Sequence, residues 1–190
     1  MKRLMAILSV ALAASLPGAA QAPFEVVDQQ NDVPLSVEDG AGLNLATITF
    51  TRKTLSKIEV DFRMQGAVPK TTSGDYVIIA YLDIDNNPAT GQVRGEIATD
   101  LNIFAFKAPG TGKWECKIDK TSTLLMKESF QIAKFNQYKD GFTIDISAPL
   151  FKKTRRICGY VESISGGKPL DRAPGEDFFT WDETKPLLPP

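Results

Sequence analysis

The chain has 190 residues, 43% of them hydrophobic and 24% charged, which is the size and composition of one globular domain. Its net charge is −1, so it lacks the basic excess with which proteins hold nucleic acid, and no nucleic-acid partner is expected. It contains no histidine, which excludes Ser-His-Asp and Cys-His catalysis, histidine-ligated metals and histidine-ligated haem.

The first 22 residues have the three parts of a secretory signal peptide. Lys2 and Arg3 are positive, residues 4–16 form an apolar run, and residues 20–22 (Ala-Gln-Ala) match a small-x-small cleavage site. The apolar run is short for a transmembrane anchor, although an uncleaved N-terminal anchor is the alternative. We therefore predict an exported protein, periplasmic or extracellular, whose mature chain has no membrane span.

Cleavage after Ala22 would leave 168 residues, of which 20 rather than 22 are basic and 23 are acidic, for a net charge of about −3. Residues 23–185 are predicted to form one β-sandwich domain, and residues 186–190 to form a loose C-terminal tail. Nothing in the sequence determines the oligomeric state.

Apolar and polar residues alternate along segments 57–64, 113–119 and 141–147, as they do in half-buried antiparallel strands. Segment 76–82 is apolar on both faces, which is typical of a central strand covered on both sides. Only segment 148–153 looks like a helical turn. Short strands separated by turn residues predict an all-β fold, either a sandwich or a barrel.

Acidic and amide side chains cluster directly after the central strand, in the sequence YLDIDNNPATG of residues 81–91. Asp83, Asp85 and Asn87 are spaced by two, so their side chains can converge as the chain curls. Asp100 opens the next strand and would return beside Asp83 or Asp85 in a hairpin. Oxygen ligands suit calcium, so these four residues are the predicted metal ligands. The alternative is a plain turn capped by its Asp and Asn side chains.

The pattern D-x-D-x-N-P-x-T-G at the end of a strand, followed by a strand that starts with Asp, resembles a group of secreted bacterial β-sandwiches. That group is similar to the DOMON-like superfamily and to family 9 carbohydrate-binding modules, and residues 174–182 (PGEDFFTWD) are consistent with its closing strand. The resemblance covers roughly residues 24–183. It implies a single antiparallel two-sheet, jelly-roll-like sandwich, a structural calcium in some members, and sugar or haem binding in others. Haem is not expected here, because histidine is absent.

Sugar-binding modules present exposed aromatic side chains with polar edges. The candidates in this chain are Tyr76, Tyr81, Trp114, Tyr138, Tyr160 and Trp181. Trp114 lies on an alternating apolar face and is expected in the core. Trp181, Tyr81 and Tyr160 are the candidate ligand-binding residues, and the case for a sugar rests mainly on the resemblance.

Cys116 and Cys158 are the only cysteines. In an oxidising compartment an even count favours a disulfide, which would contribute about 4 kcal/mol to stability over this loop. The alternative is two separate buried thiols.

The predicted function is an exported, non-catalytic binding module with a glycan or cell-envelope partner and a calcium ion. One alternative is a periplasmic scaffold or interaction protein without a small-molecule ligand. A second alternative is a glycan-active enzyme that uses a carboxylate pair. The short basic run of Lys152, Lys153, Arg155 and Arg156 is interpreted as a solvated strand end rather than an anion site.

Overall fold

A computed structural model describes residues 22–28, 33, 40–70, 75–107, 112–175 and 177–184. The predicted signal peptide, apart from Ala22, and the predicted tail at 186–190 lie outside the described residues. The strands are β1 (Phe24–Val27), β2 (Leu45–Thr54), β3 (Lys57–Met64), β4 (Tyr76–Asp83), β5 (Gln92–Arg94), β6 (Ile97–Thr99), β7 (Leu101–Lys107), β8 (Trp114–Lys120), β9 (Gln131–Tyr138), β10 (Gly141–Ser147), β11 (Arg156–Ser165), β12 (Lys168–Ala173) and β13 (Phe179–Asp182). The short 3₁₀ helices are η1 (Gly40–Gly42), η2 (Thr123–Lys127) and η3 (Pro149–Lys152).

The strands form two antiparallel sheets that pack face to face. The first sheet has the order β1-β2-β3-β10-β9, and the second has the order β12-β11-β4-β7-β8. β13 pairs with the first half of β11 and β12 with the second half, so the two strands share one edge. β5 and β6 form a separate two-stranded hairpin. The predicted all-β sandwich is confirmed.

The core lies between the sheets and contains the apolar residues that sequence alternation assigned to inner faces. Phe62 of β3 and Phe142 of β10 are completely buried from the first sheet, as are Ile78 of β4 and Ile103 of β7 from the second. Trp114 packs across the gap against Phe142, with ring centroids 4.6 Å apart. Its expected place in the core is confirmed, and burial of this apolar surface is the main stabilising contribution.

β4 is covered on both faces, as its uninterrupted apolar sequence predicts. Ile78 and Leu82 face the core, whereas Ile79 and Tyr81 face outward and belong to a second apolar cluster with Tyr160. Among the described residues, no helix has the length and apolar character needed to cross a membrane.

The two cysteines are free thiols, so the predicted disulfide is wrong. Cys116 on β8 packs against the core. Cys158 on β11 lies opposite Asp83 of β4 in the strand register, on the outward face of the same sheet. β4 and β7 separate their strands. Cys116 and Cys158 are therefore three strand spacings apart, which separates their Cα atoms by about 14 Å. A disulfide requires a Cα separation of less than about 7 Å.

Candidate metal site

Three carboxylates meet where β4 leaves the second sheet. Asp83 is the last residue of β4, Asp85 lies in the following turn, and Asp100 immediately precedes β7. The Asp100 N–H donates to the Leu82 carbonyl at 2.8 Å, which holds the returning chain beside the end of β4. One oxygen from each carboxylate lies within 4.8 Å of the other two. The predicted convergence of these three acids is therefore confirmed.

The turn after β4 is shaped by hydrogen bonds to its own acids. Asn86 adopts a left-handed conformation with φ +55°, and its N–H donates to Asp83 Oδ1 at 2.6 Å. The Thr90 hydroxyl lies 3.0 and 3.1 Å from the two oxygens of Asp85. These bonds orient both carboxylates before any ion arrives, which lowers the cost of assembling a site.

Asn87, the remaining predicted ligand, has a different role. It is exposed, and its Oδ1 accepts a hydrogen bond from the Ala89 N–H at 3.0 Å. Its own N–H donates to Asp85 Oδ1 at 2.9 Å. Asn87 therefore caps the turn through Asx geometry, so the plain-turn interpretation holds for this side chain.

Asp100 is the most deeply buried member, with no exposed surface. Its Oδ2 accepts hydrogen bonds from the N–H groups of Ile84 at 3.0 Å and Asp85 at 3.3 Å. Its Oδ1 is buried and has no hydrogen-bond partner. The Ser122 side chain is a further hydrogen-bond partner of this carboxylate. A buried carboxylate oxygen without a hydrogen bond is costly, so Oδ1 would gain from a cation held by the cluster.

Gly91 packs against the same oxygen. Its φ is +75°, and a Cβ atom at this position would lie 2.4 Å from the Thr99 carbonyl oxygen and 3.0 Å from Asp100 Oδ1. Only glycine allows the loop to approach Asp100 this closely. The sequence motif includes this glycine as a turn residue, but its contact with Asp100 could not be predicted from the motif.

The pKa values of the buried acids reflect their crowding. Burial raises the pKa of Asp83 to about 6; the Asn86 N–H opposes this shift, and the charges of Asp100 and Asp85 add to it. Burial likewise raises the pKa of Asp100, against the hydrogen bond from Ile84. A cation would stabilise the ionised form of each acid and offset both effects.

The donor set fits calcium. Calcium takes six to eight oxygen ligands, and carboxylates together with backbone carbonyls or water supply them. The cluster offers oxygen atoms alone, which suit a hard cation better than zinc or copper.

The predicted aromatic platforms are not exposed, which corrects the assignment of Trp181, Tyr81 and Tyr160 as ligand-binding residues. Trp181 is 2% exposed and packs against Phe50, with ring centroids 5.8 Å apart. The alternation of Phe179 and Trp181 with polar neighbours in β13 could have indicated an inward face.

Tyr81 and Tyr160 pack against each other on the outward face of the second sheet, with tilted rings whose centroids are 4.8 Å apart. The guanidinium carbon of Arg94 lies 4.3 Å from the centre of the Tyr81 ring, and that of Arg172 lies 4.0 Å from the centre of the Tyr160 ring. Sequence analysis missed both arginines, because only the tertiary fold brings β5 and β12 over this pair.

Comparison of the chain with protein-family models, curated proteins and solved structures gave no significant match. The resemblance to DOMON-like domains and family 9 carbohydrate-binding modules thus remains a prediction from the motif.

Proposed function

We propose that this protein is an exported, non-catalytic binding module, in which Asp83, Asp85 and Asp100 hold a calcium ion that fixes the turn after β4. The observation that carries this proposal is the buried, unpaired Oδ1 of Asp100 inside a group of three carboxylates. A calcium ion would supply the missing partner and neutralise part of the like charge. Export is supported by the sequence pattern of the first 22 residues.

The spacing of the acids favours a shared ion over catalysis on glycans. A pair of glycosidase carboxylates flanks a sugar bond at about 5 to 10 Å. Here the three oxygens lie within 4.8 Å of one another, and Asp83 and Asp100 are buried. Asp83 and Asp100 therefore face each other, and only Asp85 of the three lines the neighbouring cavity.

A second candidate is an envelope interaction protein without a sugar ligand. Burial of Trp181, Tyr81 and Tyr160 favours it, because a sugar-binding face needs exposed rings. Under this candidate the calcium ion stabilises the fold and a protein partner is the ligand.

Thermal melting tests the calcium proposal. At a calcium concentration 100 times the dissociation constant, the folded state gains about 2.7 kcal/mol, which raises Tm by roughly 5 to 10 °C in a domain of this size. We expect this increase for the mature protein in calcium relative to chelator.

Asp100→Asn and Asp85→Asn should each abolish the calcium-dependent rise in Tm. Asp85 is exposed, so its variant should fold even if the buried substitution does not. Asp119→Asn is the matched control, since that acid is exposed and pairs with Lys117 on β8. An unchanged Tm of the wild-type protein in calcium would reject the metal site.

A further inference from the structure

A cavity of about 430 Å³ lies beside the carboxylate cluster. It is open to solvent, and its lining comes from Asp85 and Asn86 in the turn after β4, from η2 and η3, and from the start of β11. Its volume is within the range of small-molecule sites, about 300 to 1,000 Å³.

The wall formed by η2 and η3 is apolar. Leu124 and Leu125 come from η2 and Leu150 from η3, and Leu124 is 59% exposed. The Ser122 side chain accepts a hydrogen bond from the Leu124 N–H at 3.3 Å and so caps the turn that presents this leucine. An aliphatic group in the cavity would remove this apolar surface from water.

The rim of the cavity also carries basic residues. Lys153, Arg155 and Arg156 are exposed and line the cavity. Arg155 forms an ion pair with Glu183 at 3.4 Å, whereas Lys153 and Arg156 form no ion pair among the described residues. Two cations without counter-ions beside an apolar wall favour a ligand that combines an anionic head with an aliphatic body.

A calcium ion at the proposed site would change the charge beside this cavity. Asp85 belongs both to the carboxylate cluster and to the cavity wall. Without an ion, the three acids oppose the approach of an anion; a bound calcium cancels two of their negative charges. The basic rim then dominates the local potential, since Glu128 is the other acid among the lining residues.

We infer that this cavity binds a small aliphatic carboxylate, and that calcium bound at the cluster strengthens this binding. The inference rests on the proposed calcium site and adds a ligand class to it. It also assigns the basic run near residue 155 to an anion site, because the fold places three of its members around one cavity. Binding linkage requires that the carboxylate raise calcium affinity by the same factor.

Titration calorimetry on the mature protein tests the inference in two stages. Calcium is titrated first, and this stage alone decides the proposed metal site. Hexanoate is then titrated into calcium-saturated protein and into protein kept in chelator. We expect hexanoate to bind at least about tenfold more tightly in calcium, and 1-hexanol and acetate to bind at least about tenfold more weakly than hexanoate.

Two substitutions locate the ligand. Arg156→Gln should weaken hexanoate binding about tenfold without changing calcium affinity in the absence of hexanoate, and Leu124→Ser should also weaken it. Lys152→Gln is the matched control, because Lys152 is an exposed neighbour that lines a different cavity with Ser56 and Ser147. The Lys152→Gln variant should bind hexanoate with the same affinity as the wild-type protein.

The outcomes separate the two proposals. Calcium binding without hexanoate binding overturns the ligand and leaves the metal site intact. Equal hexanoate affinity in calcium and in chelator overturns the coupling. Equal affinity for hexanoate and 1-hexanol overturns the anion site, and failure of calcium itself to bind overturns the proposed function.

Discussion

At the scale of single residues, the acids around the end of β4 are unfavourable for the ion-free fold, which supports the proposed ion site. Asp83 and Asp100 are buried next to each other and to Asp85, and both have a raised pKa. Such groups disfavour the charged folded state unless a cation accompanies them.

The raised pKa of Asp83 predicts a pH dependence in the ion-free protein. Its pKa rises from the ordinary value of 3.8 to about 6, so the folded state holds a proton that the unfolded state has already lost. The contribution of Asp83 to the free energy of unfolding is therefore fully present below about pH 4. It decreases as the pH rises towards 6 and is lost above pH 6. In chelator, Asp83→Asn should melt several degrees above the wild type at pH 7.5.

This difference in Tm should shrink towards zero at pH 4, since both side chains are then neutral. Differential scanning calorimetry of the two proteins across this range measures it. A constant difference, or one that grows at low pH, would contradict the assigned pKa. Comparing the pair removes the contribution of titrating groups that do not interact with Asp83, which leaves Asp83 and its charge-coupled neighbours Asp85 and Asp100.

Gly91 and Gly95 form a matched pair for the loop over Asp100. Both have positive φ, +75° and +61°, but only at Gly91 would a Cβ atom contact the Thr99 carbonyl and Asp100. Gly95→Ala should cost about 1 to 2 kcal/mol in unfolding free energy from its left-handed conformation. Gly91→Ala should cost more and should also weaken calcium binding, as denaturant melts and calcium titrations can show. Equal costs would mean that the loop does not pack on Asp100.

The acids of the site could be predicted from sequence, because Asp83 and Asp85 directly follow a buried strand and Asp100 precedes the next long one. The different role of Asn87 could not be predicted, because an amide at that spacing fits both an ion and an Asx turn. The buried, unpaired oxygen of Asp100 also depends on the packing of Gly91, which no local pattern reveals.

At the scale of elements, one arginine ties several segments together. Arg52 of β2 forms an ion pair with Glu183, just after β13, and donates hydrogen bonds to the carbonyls of Phe151 and Thr154 at 3.0 Å. The side chains of Arg52 and Glu183 are 8% and 3% exposed. The pair connects β2 of the first sheet to η3 and to the end of the second sheet.

Glu183→Gln should destabilise the protein by about 3 to 5 kcal/mol, because it leaves the Arg52 charge buried without its counter-ion. The comparison is Asp119→Asn, which removes an exposed partner of Lys117 and should cost less than about 1 kcal/mol. Urea denaturation measures both free energies. Similar small losses in the two variants would show that the Arg52 pair does not connect these elements.

Strand limits could be predicted well where one face is buried. β3 and β10 have the bounds that alternation indicated, and β8 is displaced by one residue. Strand order could not be predicted, because the pairing of β10 with β3 joins segments about 80 residues apart. β11 and β12, by contrast, form a short-range hairpin in which Ser165 pairs with Lys168.

At the scale of the whole molecule, the two-layer architecture decides the state of the cysteines. Cys116 faces the core and Cys158 faces away from it, with two strands between them. Sequence composition suggested a bridge, because it records the number of cysteines and not the face of the sheet on which each lies.

Mass spectrometry after alkylation in denaturant, without reductant, should find both thiols modified. Labelling of the native protein should be slow, since Cys158 is buried and Cys116 is half-buried. A mass two hydrogens lower, with neither cysteine modified, would contradict the arrangement of the second sheet.

The most direct measurement of the central claim is the calcium stoichiometry of the folded protein. Titration of calcium into chelator-stripped mature protein should give one site per chain. Asp100→Asn should bind none, and Asp119→Asn should bind like the wild type. Absence of binding to the wild-type protein, or binding that persists in Asp100→Asn, would contradict the account.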